Sequence, residues 1–232
     1  MPVASFRPFS KTRTRAFTFA DFLAVVAVVA LLLAIALPMF SGNRARARQA
    51  VCESNLKDIT HAVLSFADEN TGRLPDTDPA VKGPLWWFYK EQVKGYLGLR
   101  NPSSPGDRIF GCPSDRGYED GKPFRLSAKF DYGSYNFNGV NIPGLPNVAG
   151  RNIASIKEPS QTLLMMEWTA HAPLSWHQSQ TAGRNQPFYN NAKSMVSLVD
   201  GHVDFIPIYF DGINPAYTRD PIPGYAYKYS AD

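Results

Sequence analysis

Ala16-Phe17-Thr18-Phe19-Ala20-Asp21, continued by the unbroken apolar run from Phe22 to Leu37 and then Pro38, decides how the rest of this chain is read. Ahead of it stands a basic leader with Arg7, Lys11, Arg13 and Arg15 and no acid before Asp21. About 20 apolar residues cross a bilayer, and the stretch from Phe17 to Phe40 is broken only by Thr18, Asp21 and Pro38. A carboxylate near the start of such a helix is costly and usually has a functional reason. A secretory signal has a shorter apolar core followed by a small-residue cleavage site, and Leu37-Pro38-Met39-Phe40 makes a poor one. A plain single-span anchor fits the length. In every reading the Arg-rich leader stays cytoplasmic by the positive-inside rule, which puts the C-terminal body outside the cytoplasmic membrane.

Charge points the same way. The leader carries four of the 24 basic residues and none of the 20 acidic ones, so the chain from Phe17 onward is neutral. The net charge of +4 is therefore a topology signal. It is not the basic patch on a folded domain that nucleic-acid binding needs, and no nucleic-acid partner is expected.

Beyond the apolar run, Cys52, Leu56, Ile59, Val63 and Phe66 recur at the spacing of one helix face, with Lys57, Asp58, Asp68 and Glu69 mostly off it. Asn70-Thr71-Gly72 and then Leu74-Pro75 close that helix. Pro38 and Gly42 are the expected places for a kink. Four segments follow: a leader over 1–16, a membrane or filament-core helix over 17–40, its amphipathic continuation over 41–72, and a body over 73–232. The body is large enough for one core and, with 17 Gly and 19 Pro in the chain, rich in turns.

Within the body, Leu85 to Leu97 reads as a short helix carrying Trp86, Trp87, Phe88 and Tyr89. Asp107 to Phe110, Tyr132 to Asn138 and Gln161 to Trp168 read as strands. Ser194 to Val199, Asp200-Gly201 and His202 to Ile208 read as a hairpin whose Asp-Gly turn should be type I′, with φ > 0 at both residues. The expected fold is α+β: a long N-terminal helix, hydrophobic then amphipathic, packed on a small antiparallel β-sheet.

The N-terminal layout resembles the class III signal of type IV pilins and type II secretion pseudopilins. The resemblance implies cleavage by a prepilin peptidase between Ala16 and Phe17, N-methylation of Phe17, and retention of the apolar helix. Asp21 stands where that family prefers Glu, Ala16 where it prefers Gly, and Pro38 where it usually carries proline. A second resemblance is to the pseudopilin-like proteins of planctomycete and verrucomicrobial type, with a C-terminal H-X9-DG region. It rests on Cys52-Glu53-Ser54-Asn55-Leu56-Lys57-Asp58-Ile59, Cys112-Pro113-Ser114-Asp115 and Leu198-Val199-Asp200-Gly201-His202-Val203. Asn190 stands where that motif has His, which argues against a catalytic imidazole there. The partners these families imply are the peptidase, an inner-membrane assembly platform, other pilin subunits and membrane lipid.

The two cysteines are an even pair in an extracytoplasmic body, where disulfides persist. A Cys52–Cys112 bridge closes a loop of about 60 residues, worth roughly 3–4 kcal/mol on the entropic reading. The other reading is two small buried hydrophobes. His171, His177 and His202 show no metal-ligand spacing and no cysteine pair beside them, so they read as surface or turn histidines. Asp200, Asp204 and Asp211 around two Asp-Gly turns are the weak calcium candidate. No other cofactor is expected, and no nucleophile, phosphate loop or carboxylate pair marks an enzyme. Two functions remain: a structural pilin-like subunit at the inner membrane, single-pass with its N-terminus cytoplasmic, or a membrane-tethered module that binds polysaccharide or an envelope partner through Trp86 and Trp87.

Overall fold

The computed structural model describes residues 18–77, 85–119, 121–140, 142–180, 187–213 and 215–232, with the side chains of 36–42 and 216 outside that description. The basic leader, Ala16, Phe17 and the side chain of Pro38 lie outside the described residues. The chain divides into two units, 1–44 and 45–232. A single helix, α1 (Phe19–Glu69), begins in the first and ends in the second.

In the first unit every described residue from Phe19 to Ile35 is exposed, although nearly all are apolar. Among the described residues no helix is long and apolar enough to cross a membrane.

In the second unit α1 supplies one buried stripe: Cys52, Leu56, Ile59, Val63 and Ala67 are each fully buried. The steps of three and four residues keep them on one side of a helix. Phe66 is only partly buried at the edge of that core. The helix stops at Glu69 because Gly72 turns back, with φ at +80° and its N–H donating to the Ala67 carbonyl at 2.8 Å. That six-to-one bond is the Schellman closure; its left-handed position is held by Thr71, with φ at +57°, just before Gly72. Any Cβ on Gly72 would also sit 2.9 Å from the Asn152 amide.

Among the described residues four antiparallel strands form the sheet in chain order: β1 (Tyr135–Phe137), β2 (Leu163–Glu167), β3 (Ala192–Leu198) and β4 (Val203–Ile208). Its two faces belong to two cores. Met165 and Met195 join the α1 stripe, while Met166, Val196, Leu198 and Ile208 meet Ile222, Tyr227 and Tyr229 from the C-terminal segment. The register slips by one between Leu163↔Leu198 and Met165↔Ser197, leaving Leu164 as a bulge residue. The bulge sends Leu164 and Met165 in succession into the α1 core. A polar contact also crosses this interface: Thr60 Oγ1 lies 2.7 Å from Ser197 Oγ and 2.7 Å from the Leu56 carbonyl. Helix α2 (Leu85–Val93) packs beside β1, placing Tyr89 between Phe110 and Phe137. Pro207 lies in β4, an edge strand, opposite Lys193.

Two local expectations are corrected. Residues 108–110 form a 3-10 turn and not a strand. Their neighbouring amides bond inward, Phe110 N–H to the Asp107 carbonyl (2.9 Å) and Gly111 N–H to the Arg108 carbonyl (3.1 Å). The β3–β4 turn is not type I′, since Gly201 has positive φ (+96°) and Asp200 does not. Gly201 N–H donates to the Leu198 carbonyl at 2.9 Å and Leu198 N–H to the His202 carbonyl at 3.0 Å. Three residues therefore form the loop, a turn followed by a left-handed glycine bulge. Asp200 favours this form because its Oδ1 accepts from the His202 N–H at 3.2 Å and from His202 Nδ1 at 2.6 Å.

Leu56→Ala should cost about 2–5 kcal/mol through the cavity it leaves under the sheet. Glu53→Ala removes a half-exposed ion pair with Lys57 and should cost under about 0.5 kcal/mol. Urea unfolding followed by tryptophan fluorescence distinguishes the two.

Candidate functional site

The first unit offers a helix start. Thr18 caps α1: its Oγ1 accepts from the Asp21 N–H at 3.2 Å, while Asp21 Oδ2 accepts from the Thr18 N–H at 2.8 Å and from Thr18 Oγ1 at 2.7 Å. This is a reciprocal capping box with Asp in the place of Glu. Asp21 thus has a local role in addition to whatever it does between molecules. All the carboxylate's bonds within the box use Oδ2.

The second unit gathers its polar groups behind α1. Cys52 and Cys112 are bonded, with Cα atoms 4.9 Å apart. The bond ties the helix stripe to the loop before β1. Tyr135 on β1 adds a second tie by donating its hydroxyl to the Cys52 carbonyl at 3.1 Å.

The Cys112-Pro113-Ser114-Asp115 segment is shaped by Asp115, which is 3% exposed. Its Oδ1 accepts from the Gly117 N–H (2.8 Å), and its Oδ2 accepts from the Arg125 N–H (2.8 Å) and the Ser134 hydroxyl (2.7 Å). Ser134 Oγ in turn accepts the Cys112 N–H at 3.0 Å. Burial raises the Asp115 pKa, opposed by these donors. The arrangement holds the Cys112 backbone where the sulfur meets α1.

Beside the disulfide lie two residues that the sequence reading did not assemble. Glu167, at the end of β2, is fully buried. His177 Nε2 lies 2.9 Å from Glu167 Oε1 and 3.9 Å from Cys112 Sγ. Met195 N–H donates to Glu167 Oε2 at 3.1 Å. The His177 side chain is only 1% exposed although its backbone lies in a bend, so the surface half of the surface-or-turn expectation is corrected, as is the expectation that no cysteine pair sits near one. The available signal was a lone acid closing the apolar strand Leu163-Leu164-Met165-Met166.

His171 is likewise buried and not a surface residue. Asn136 Nδ2 approaches its Nδ1 at 3.0 Å, and the rings of Trp86, Trp168, Tyr217 and Tyr229 surround it. Burial among these groups pushes its pKa down to about 3. Trp86 and Trp87 belong to this packing: Trp87 meets Phe130 edge-on at 5.3 Å and Trp168 at 5.4 Å. Both indoles are half-buried and do not form an open stacking platform.

The remaining expected residues do not converge. Asn190 and Asp200-Gly201 lie beyond opposite ends of the seven-residue β3, which alone spans roughly 23 Å at the usual strand rise. Asn190 Oδ1 accepts from the Phe210 N–H at 2.8 Å and so closes the open end of the hairpin whose other end Asp200 closes. Nor are the calcium candidates gathered. Asp200 serves His202, Asp204 Oδ1 accepts from the Phe205 N–H at 2.7 Å, and Asp211 pairs with Arg219 at 3.0 Å. Among the described residues the Cys, His, Asp and Glu ligand atoms that do cluster, within 4.8 Å, are those of Cys52, Cys112, Glu167 and His177.

No protein-family model matches this chain, and no solved structure does. Over 69 residues it is 39% identical to the type IV major pilin protein PilA of Myxococcus xanthus (strain DK1622). The match covers 30% of this chain and 30% of that pilin. Together with the α+β architecture, this similarity supports a pilin-like protein.

The depressed pKa of His171 makes a signed prediction. The unfolded chain binds more protons than the folded one between about pH 3 and 6.5, so this residue makes stability rise with pH across that window. Its contribution is complete above pH 6.5 and lost towards pH 3, on the order of 5 kcal/mol in all. Asp131, raised to about 6 by burial, acts oppositely between its unfolded and folded values. The difference between wild type and His171→Gln, from denaturation at a series of pH values, should isolate the His171 share. A difference that does not change with pH would show that the imidazole titrates alike in both states.

Proposed function

We propose that the protein is a structural pilin-like subunit of a type II secretion pseudopilus or type IV pilus. A prepilin peptidase removes the leader after Ala16, Phe17 is N-methylated, and the body stands outside the inner membrane. The observation that carries this reading is the first part of α1. From Phe19 to Ile35 it exposes apolar side chains around its circumference, and contiguous apolar surface of that extent marks a site that something else covers. Lipid covers it before assembly, and the equivalent helices of other subunits cover it afterwards. The partial similarity to a type IV major pilin supports the same role.

Asp21 supplies the registry. The capping box occupies Oδ2, which leaves the Oδ1 side of the carboxylate for the Phe17 amino group of a neighbouring subunit. In an apolar bundle an unpaired carboxylate is heavily penalised, so the pairing selects one axial position. The role is structural and calls for no catalysis or cofactor.

Two outcomes test this. Intact-mass and N-terminal peptide analysis should find a chain beginning at N-methylated Phe17 only when the peptidase is present. Retention of Arg7 to Arg15 under both conditions would leave the tethered binding module as the better reading. Asp21→Ala should enter the membrane normally yet be incorporated into filaments at least about tenfold less efficiently. Equal incorporation would remove the registry role.

A further inference from the structure

The buried side chains of Glu167 and His177 have no place in the assembly role. A disulfide that only cross-links a helix to a loop needs neither a carboxylate nor an imidazole beside it. Burying such groups among apolar side chains is costly unless they are well partnered. Yet both are directed at the sulfur pair from separate elements, Glu167 from β2 and His177 from the loop that follows it. Cys52 comes from α1 and Cys112 from the loop before β1. The four ligand atoms lie within 4.8 Å of one another.

We propose that reduction of the Cys52–Cys112 bond converts this cluster into a zinc site, with the two sulfurs, Glu167 Oε1 and His177 Nε2 as ligands. The donor set of two thiolates, one imidazole and one carboxylate suits zinc. Zinc takes four such ligands tetrahedrally, at about 2.3 Å for sulfur and about 2.0–2.2 Å for nitrogen and oxygen. Such a tetrahedron has edges of roughly 3.3–3.8 Å, close to the existing 2.9 Å and 3.9 Å separations around Nε2. The sulfurs have only to part from bonding distance. Orientation is partly supplied already, because the Met195 N–H fixes Glu167 Oε2 and leaves Oε1 turned towards the cluster.

The chemistry balances with a phosphine as reductant. The S–S bond breaks, the phosphine becomes its oxide with oxygen from water, and that water's two protons yield two thiols. Zinc then displaces both thiol protons. The imidazole proton, which Nε2 donates to Glu167 Oε1 while the disulfide is intact, leaves Nε2 as zinc takes it, and the metal-bound ring is protonated at Nδ1, a buried nitrogen with no hydrogen-bond partner among the described residues. Bond and ion are thus alternative cross-links between α1 and the loop before β1: the oxidised chain binds no zinc here, and the reduced chain binds one ion.

The test uses the full chain in detergent, oxidised or phosphine-reduced, dialysed against zinc and analysed for metal and protein. One zinc per reduced chain and none per oxidised chain are expected. Cobalt in place of zinc should give a thiolate-to-cobalt charge-transfer band and the intense visible bands of a tetrahedral site. Glu167→Gln and His177→Gln should each weaken zinc binding at least about tenfold while still forming the disulfide on oxidation. The proposal is overturned if the reduced chain takes up no zinc, or if both Gln variants bind it as tightly as wild type. It fails equally if circular dichroism shows the reduced chain unfolded in the presence of zinc, since a cross-link that replaces the disulfide must hold the fold.

Discussion

The body is organised by the burial of one face of α1. Cys52, Leu56, Ile59, Val63 and Ala67 leave no side chain of that stripe in contact with water. Three of the strands are positioned by what they present to the stripe: Met165 from the bulged β2, Met195 and Ser197 from β3, and Tyr135 from β1. Apolar area drives the contact, but it does not fix where along the helix the sheet sits. Directional bonds do that. The disulfide sets one point, the Tyr135 hydroxyl on the Cys52 carbonyl sets a second, and the Thr60–Ser197 contact sets a third, two turns along α1 from Cys52.

Behind this interface the protein keeps an unusual amount of polarity dry. Asp115 has three strong donors and stays buried as the hub of a loop. Glu167 has a backbone N–H and an imidazole. His171 has an amide and a ring of aromatics. In each case named protein groups hold the buried polar side chain.

Much of the architecture was legible from periodicity. The helix stripe, its stop at Gly72, the short aromatic helix and the β3–β4 hairpin all follow from spacing and from glycine, because those signals are local. The turn type was not, since Asp-Gly permits more than one loop and the choice fell to the Asp200 carboxylate and its bonds to His202. The strand expected near Phe110 failed for a related reason: strand propensity without an adjacent edge to pair with yields a turn. The second core under the sheet was invisible, because Ile222, Tyr227 and Tyr229 reach it through a C-terminal segment with little regular structure. The Glu167–His177 contact was equally hidden. Nothing in a one-dimensional pattern places a strand's last residue against a loop ten positions on and a cysteine from the far side of the fold.

The ends of the sheet bear on life at high density. One border is the three-residue β1, and the other, β4, carries Pro207, which has no N–H to offer. Short edges and proline both discourage a foreign strand from docking. A chain whose copies are concentrated side by side would otherwise be at risk of joining through its sheets into a tangle. Those borders are blunted against such edge-to-edge pairing.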